Sequence, residues 1–269
     1  MMHKPLFLCS VLIFSASFSL IASNSILVQS TTSTQNSGLF NYIVPIYQAK
    51  TGIEVKVVAV GTGQALKNAA NGDADVVMVH AKSAEEIFIK NGYGIARRPL
   101  MYNQFFVVGP SHDPAGIQSA SSAAEAFMKI ASSESKWISR GDMSGTHKKE
   151  LQLWKSIAIN PKASWYLEVG SGMGRTLGMT IELDGYTLVD SATWISYKNK
   201  GSCKVLYKED QALSNQYSLI LVNDEIHPHV NTKGAKNFMG WLLSSDGQST
   251  IAKFKLNGQQ LFYPNADKF

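Results

Sequence analysis

A chain of 269 residues, 45% hydrophobic and 17% charged, can bury a sizeable core and has too few charges for a disordered polymer. Its net charge of +5 is spread along the chain without a dense basic run, which argues against nucleic acid as a partner. A mildly positive surface does suit a small anion.

The first residues, "MMHKPLFLCSVLIFSASFSLIASNS", place Lys4 before an apolar stretch from Pro5 to Ala22, with Ser19, Ala22 and Ser23 as small residues at its end. This is the pattern of a cleaved signal peptide over residues 1–23, and it predicts export to the periplasm. Ser10, Ser15, Ser17 and Ser19 make the stretch too weakly apolar for a retained membrane anchor. Cys9 lies inside the signal, so Cys203 is the only cysteine left after cleavage, and no internal disulfide is expected.

Short β-branched runs then alternate with helical segments, the signature of an α/β architecture. "SILVQS" reads as a strand, and Leu39, Tyr42, Ile43, Ile46 and Tyr47 repeat with helical spacing. "IEVKVVAV" is a second strand, interrupted by "GTG" before a helix from Gln64 to Asn71. "ADVVMVH" is a third strand, "EEIFIKNG" a helix stopped at Gly92, and "QFFVVGP" a strand halted by Pro110. "SAAEAFMKIASS" (helix), "KWISR" (strand) and "THKKELQLWKSIAI" (helix ended by Asn160 and Pro161) follow. After "VGSGMGRTLGMTIELDG" comes another strand-turn-helix unit, then the strand "YSLILVN" and helices over "TKGAKNFMGWLLSSDGQSTIAKF". The order predicts two α/β lobes, residues 24–109 with 219–269 and residues 110–218. Two crossing strands would join them, leaving near Gly109 and returning near Ser218.

Four turns share one character: "STTSTQNS", "GTGQ", "RGDMSGTH" and "GSGMGRT" each follow a strand, open a helix, and are built from Gly, Ser and Thr. In open α/β sheets ligands bind beyond the carboxyl ends of the strands, where the first N–H groups of each helix have no internal partner. Any one such turn is an ordinary helix cap. Four of them, one carrying Arg140, predict an anion site, because a guanidinium fork suits a tetraoxyanion. Asp142 is placed to orient Arg140.

Competing chemistries fit less well. There is no GxxxxGK[ST] loop and no GxSxG elbow. Ser144 with His147 is a remote serine-hydrolase alternative, since His147 is expected to face solvent or pack under the turn. His227 and His229 lie near Asp224 and Glu225, yet a zinc site needs three or four ligands and no second cluster is evident, so no metal site is expected. Trp154, Trp165, Trp194 and Trp241 fall on apolar stripes and read as core.

The motifs "TTSTQNSGL", "VGTGQAL", "NGDADVVMVHA", "MYNQFFVVGP", "SRGDMSGTHKKE", "GMGRTLGM" and "YTLVDSATW", with the C-terminal "IHPHVN…FMGWLLSSDGQ…FYPNAD", resemble the tungstate-binding periplasmic components of ABC transporters. The resemblance implies a type II periplasmic binding-protein fold with an oxyanion held in the cleft between the lobes. It implies a binding protein without enzymatic activity or cofactor, with tungstate, or molybdate, as ligand. Its partners would be a membrane permease and its ATPase, and the protein itself a monomer. Residue by residue, it makes Thr31, Thr32 and Thr62 donors from the first lobe, and Arg140, Ser144, Gly145 and Thr146 donors from the second, with Gly172 lining the fourth turn. The chain departs from the family where "SGMGRT" lacks a Gln between its first two glycines and carries Arg175. Phosphate-binding proteins share an Arg-x-Asp-x-Ser-Gly-Thr turn, so phosphate or sulfate stays open as the ligand. A protonated phosphate would need an acceptor in the site, and neither "STTSTQNS" nor "GTGQ" offers an acid.

Overall fold

A computed structural model describes residues 25–266. The predicted signal peptide lies outside the described residues.

The chain opens with β1 (Ser25–Thr31), α1 (Thr32–Asn36), α2 (Leu39–Thr51), β2 (Glu54–Val60), α3 (Thr62–Ala70), β3 (Val76–Val79) and α4 (Lys82–Lys90). Strand β4 (Gly94–Pro110) then carries it across. α5 (Ala123–Ser132), β5 (Trp137–Ser139), α6 (Gly145–Ser156), β6 (Tyr166–Glu168), α7 (Met173–Glu182), β7 (Thr187–Asp190), α8 (Ser191–Ser196) and β8 (Cys203–Tyr207) follow. β9 (Ser214–Val222) brings the chain back to α9 (Thr232–Leu243), α10 (Ser245–Lys253) and the short strands β10 (Lys255–Leu256), β11 (Gln259–Gln260) and β12 (Tyr263–Pro264).

The elements form two α/β lobes on an eight-stranded sheet that is continuous through β4. Its first part has the order β12-β4-β9-β3-β1-β2, parallel between β1 and its neighbours β2 and β3 and antiparallel across β9. The second is built on the far half of β4, which pairs β7 and β8, while β5 and β6 join in parallel with a Trp137–Tyr186 bridge to β7. The partners of β4 change between Gln104, opposite Ser214, and Phe105, opposite Asp190. β4 and β9 are therefore the two crossing strands, one changing partners at Phe105 and the other beginning at Ser214.

The cores follow from the sheets. Val76–Val79 are all buried because β3 is central and covered on both faces. Ile26, Val28, Leu39, Ile43 and Phe238 pack one face of the first sheet, and Leu66, Val77, Phe88 and Ile220 the other. In the second lobe Phe127, Trp137 and Trp154 meet at ring-centroid distances of 4.5–5.2 Å. Trp154, Trp165 and Trp194 are buried and Trp241 packs partly buried against the first core. Cys203 is buried and unpaired.

Candidate functional site

In the first lobe the register sets three strand ends side by side. Thr31 lies opposite Val60, and Ser30 opposite Met78, so β1, β2 and β3 finish at one edge of the sheet. Thr31, Gly61–Thr62 and His80 stand at or just past those ends. Thr31 caps α1: its Oγ1 accepts from the Thr34 N–H at 3.4 Å and shares hydrogen bonds with Thr34 Oγ1 (2.7 Å) and Ser33 Oγ (3.1 Å). Thr32 is exposed, whereas Thr62 is buried in the first turn of α3.

The second lobe repeats the plan. Parallel β5, β6 and β7 end at Ser139, Glu168 and Asp190, followed by the turn into α6, the turn into α7, and α8. The turn "RGDMS" doubles back through two left-handed residues, Gly141 and Met143, each at φ +59°. Gly141 is required, since a Cβ there would lie 2.8 Å from Glu168 Cβ. Met143 has no such freedom and carries strain of about 1–2 kcal/mol. Asp142 holds the turn: its Oδ1 accepts from the Ser144 N–H (3.1 Å) and its Oδ2 from Arg140 Nη2 (2.5 Å). Burial pushes the Asp142 carboxyl up, but Ser144 and Arg140 outweigh it and hold it below the usual carboxylate range.

Arg140 is mostly buried, at 16% side-chain exposure. Its Nε is fully buried and has no hydrogen-bond partner among the described residues. Asp142 thus anchors Nη2, and the guanidinium it fixes carries a full positive charge across the physiological pH range. Beside it is a cavity of about 410 Å³ lined from the first lobe by Thr32, Ser33 and Asn36 and from the second by Arg140, Gly172, Met173 and Gly174, with Thr193, Ser196 and Tyr197 of the α8 segment. Arg140 is the only cationic side chain among these.

The predicted site residues thus separate. Thr32, Arg140 and Gly172 share the cavity, and Thr31 supports it from beneath as a cap. Gly145 and Thr146 are buried at the start of α6, behind the half-buried Ser144, whose Oγ caps that helix by accepting from the His147 N–H (3.2 Å). Thr62 lines none of the cavities described here. Arg175 is exposed and lies outside the cavity.

Sequence reasoning missed His80, Ser33 and the α8 contribution. His80 Nδ1 donates to Asn215 Oδ1 (2.9 Å) on β9, and Nε2 is 3.4 Å from Ser33 Oγ. Burial lowers its pKa, so the ring is neutral at pH 7. It lines a second cavity of about 560 Å³ with Gly145, Lys148 and Lys149. Its signal was its place at the carboxyl end of a strand. Asp190, at the end of β7, caps α8: its Oδ1 accepts from the Thr193 N–H (2.9 Å) and its Oδ2 from Thr193 Oγ1 (2.5 Å).

The arrangement does not activate a nucleophile. His147 packs under the turn, and its Nδ1 accepts from the Met143 N–H (3.0 Å), so that nitrogen cannot take a proton from Ser144. The other nitrogen, Nε2, is buried, with Glu168 3.9 Å away. His227 and His229 donate to the carbonyls of Ala70 and Gly72 (3.0 Å each) at the end of α3. No group of three metal-ligating side chains occurs among the described residues.

Comparison with known proteins identifies the family. A PBP superfamily domain model matches residues 21–246. The tungstate-binding protein TupA of Peptoclostridium acidaminophilum is 44% identical over 251 residues, 92% of this chain and 88% of its own length. The TupA of Campylobacter jejuni is 37% identical over 239 residues, 87% of this chain and 88% of its own. Among solved structures, the tungstate-binding protein TupA from Desulfovibrio alaskensis superposes with a TM-score of 0.83 at 44% identity, covering 90% of this chain and 99% of that one. The tungstate ABC transporter structure from Geobacter sulfurreducens gives 0.79 at 43%, covering 87% and 100%.

Proposed function

This chain belongs to the PBP superfamily and, within it, to the family of the TupA tungstate-binding proteins, and on that premise we propose that it captures tungstate between its lobes and passes it to an ABC transporter. It is a binding protein and not an enzyme. The observation that carries the ligand assignment is Arg140, fixed by Asp142 and lining, as its one cationic side chain, a cavity built from helix starts. Thr32, Arg140 and Gly172, which line the cavity, are the residues we assign to the oxyanion from the geometry; Thr31, Thr62, Ser144, Gly145 and Thr146 are proposed beside them on the family resemblance alone. Molybdate has the same shape and charge and would use the same donors.

The cavity beside Arg140 has no acid in its lining, which also favours a fully deprotonated ligand. Neither Asp142 nor Asp190 lines it, so the hydroxyl of monohydrogen phosphate would lack a carboxylate acceptor there. With charge-assisted bonds of about 1.5–3 kcal/mol each, a handful of donors is enough for nanomolar affinity, about −12 kcal/mol. The partners would be a membrane permease and its ATPase, the place of work the periplasm, and the active form a monomer. The test is calorimetric titration of the anion-free mature protein with tungstate, molybdate, sulfate and phosphate. Tight binding of the first two is expected, and preferential binding of phosphate would replace this reading with that of a phosphate-binding protein.

A further inference from the structure

Nothing in the residue types of the four turns explains how a donor-only site would refuse sulfate, which carries no proton either. The structure offers a geometric answer at the contact between His80 of the first lobe and Gly145 of the second. A Cβ built on Gly145 would lie 2.8 Å from His80 Cε1 and 3.2 Å from Nδ1, so the backbone of α6 already rests on the imidazole. Gly145 is the first residue of that helix, immediately beyond the turn that carries Arg140.

The ring cannot retreat. Its Nδ1 is tied to Asn215, which is itself buried and donates to Asn103 Oδ1 (2.7 Å) and Tyr217 Oη (3.3 Å). Asn103 and Asn215 face each other in register on the two crossing strands. Behind the imidazole is the buried ring of Tyr217, at a centroid distance of 4.6 Å and 31°. His80 is therefore braced from the strands that connect the lobes, with its free edge toward Ser33 and Gly145.

We propose that His80 is a specificity-determining stop: Gly145 seats on its imidazole, and that contact fixes how far the cleft closes and so the size of the tetrahedral dianion it holds. The role is one of positioning, exercised through Gly145 and Ser33, and it rests on the reading of the cleft as an oxyanion site. A large dianion fills the gap left by the stop and meets donors from both lobes. Sulfate, being smaller, reaches one set of donors and falls short of the other.

The experiment is a double-mutant cycle read by tungstate and sulfate affinity, with thermal unfolding of each variant as a check of folding. Gly145→Ala drives a methyl group into His80 and should weaken tungstate binding about tenfold or more. In the His80→Ala background the same substitution should have little effect, because residues in contact are not additive. His80→Ala alone, or His80→Asn, which keeps a side chain able to reach Asn215, should narrow the preference for tungstate over sulfate about tenfold. Additive effects, or an unchanged tungstate-to-sulfate ratio in both folded His80 variants, would overturn the role of His80 alone. An unaltered chain that binds none of these anions would instead remove the oxyanion reading beneath it.

Discussion

Arg140 Nη2 donates to Asp142 Oδ2, two residues along the same turn, and this contact orients the guanidinium while leaving its buried Nε unpartnered. Removing either residue should therefore be felt in the ligand. Arg140→Ala should weaken tungstate binding by at least about 3 kcal/mol, the scale for breaking a buried charge pair. Arg140→Lys should bind poorly too, because an ammonium cannot reproduce the fork. Asp142→Ala frees both Arg140 and the Ser144 N–H and should cost about 1–3 kcal/mol in affinity. Calorimetry on the three variants checks this, and near-wild-type affinity in Arg140→Ala would place the anion elsewhere.

Discrimination by proton count gives a second expectation. Phosphate should bind at least about tenfold more weakly than tungstate at neutral pH, since an unsatisfied buried hydroxyl costs about 1–3 kcal/mol. Competition against labelled tungstate measures it. Displacement by phosphate at equal concentration would mean that Asp142, or another acid, faces the ligand and accepts from its hydroxyl.

A third concerns Glu150, buried on α6 beneath the Arg140 turn. It accepts from Ser139 Oγ (3.0 Å) and Tyr166 Oη (2.7 Å), and burial outweighs these bonds to push its carboxyl up to about 7. The folded state thus holds this proton more tightly than the unfolded chain. The resulting stability is fully present below the ordinary carboxylate range and is lost as pH rises through about 7, a fall of about 3 kcal/mol. Glu150→Gln, which cannot ionise, should flatten that fall. Urea unfolding at about pH 5 and about pH 8 compares the two chains, and parallel pH profiles would show that Glu150 titrates normally.

A fourth separates the histidine pair from metal chemistry. Gly72 sits at φ +86°, and a Cβ there would come 2.8 Å from both His227 Nδ1 and His229 Cε1. Gly72→Ala should destabilise the fold by about 2–3 kcal/mol through left-handed strain and collision with the two rings. Tungstate affinity should not change, and added zinc should not shift the melting temperature of the parent. A zinc-dependent rise would reveal a site that the geometry does not provide.

Much of this molecule was legible in its sequence because hydrophobic period and turn chemistry agree locally. The helix starts at Gly145 and Met173 follow the Gly- and Ser-rich turns that announced them, whereas "TTSTQNS", read as a polar turn before the Leu39 helix, is itself coiled into the short helix α1. The first half of β4 was not legible, because Arg97, Arg98 and Pro99 interrupt its pattern. Arg97 is accommodated by its bond to the buried Glu85 (2.6 Å), a partner 12 residues away that no local window reveals. His80 was overlooked for a related reason. Small hydroxyl residues advertise an anion turn, whereas a histidine at a strand end gains meaning only once Gly145 is brought against it from the other lobe.

Strand β9 lies between β3 and β4, which gives the molecule an order of assembly as well as a shape. The first sheet cannot be completed when its first three strands have formed, since β3 lacks a neighbour on one side until residues 214–222 arrive. Everything between Phe105 and Leu213 must be synthesised before that gap is filled. The second lobe, being continuous in the chain, can fold by itself in the interval, and its docking through β4 and β9 then closes the first. The waiting edge of β3, Val76–Val79, is a row of four apolar residues with open backbone donors, the kind of surface on which two half-made chains pair with each other. Slowing the return of β9 should therefore lower yield through aggregation before it harms any property of the finished protein.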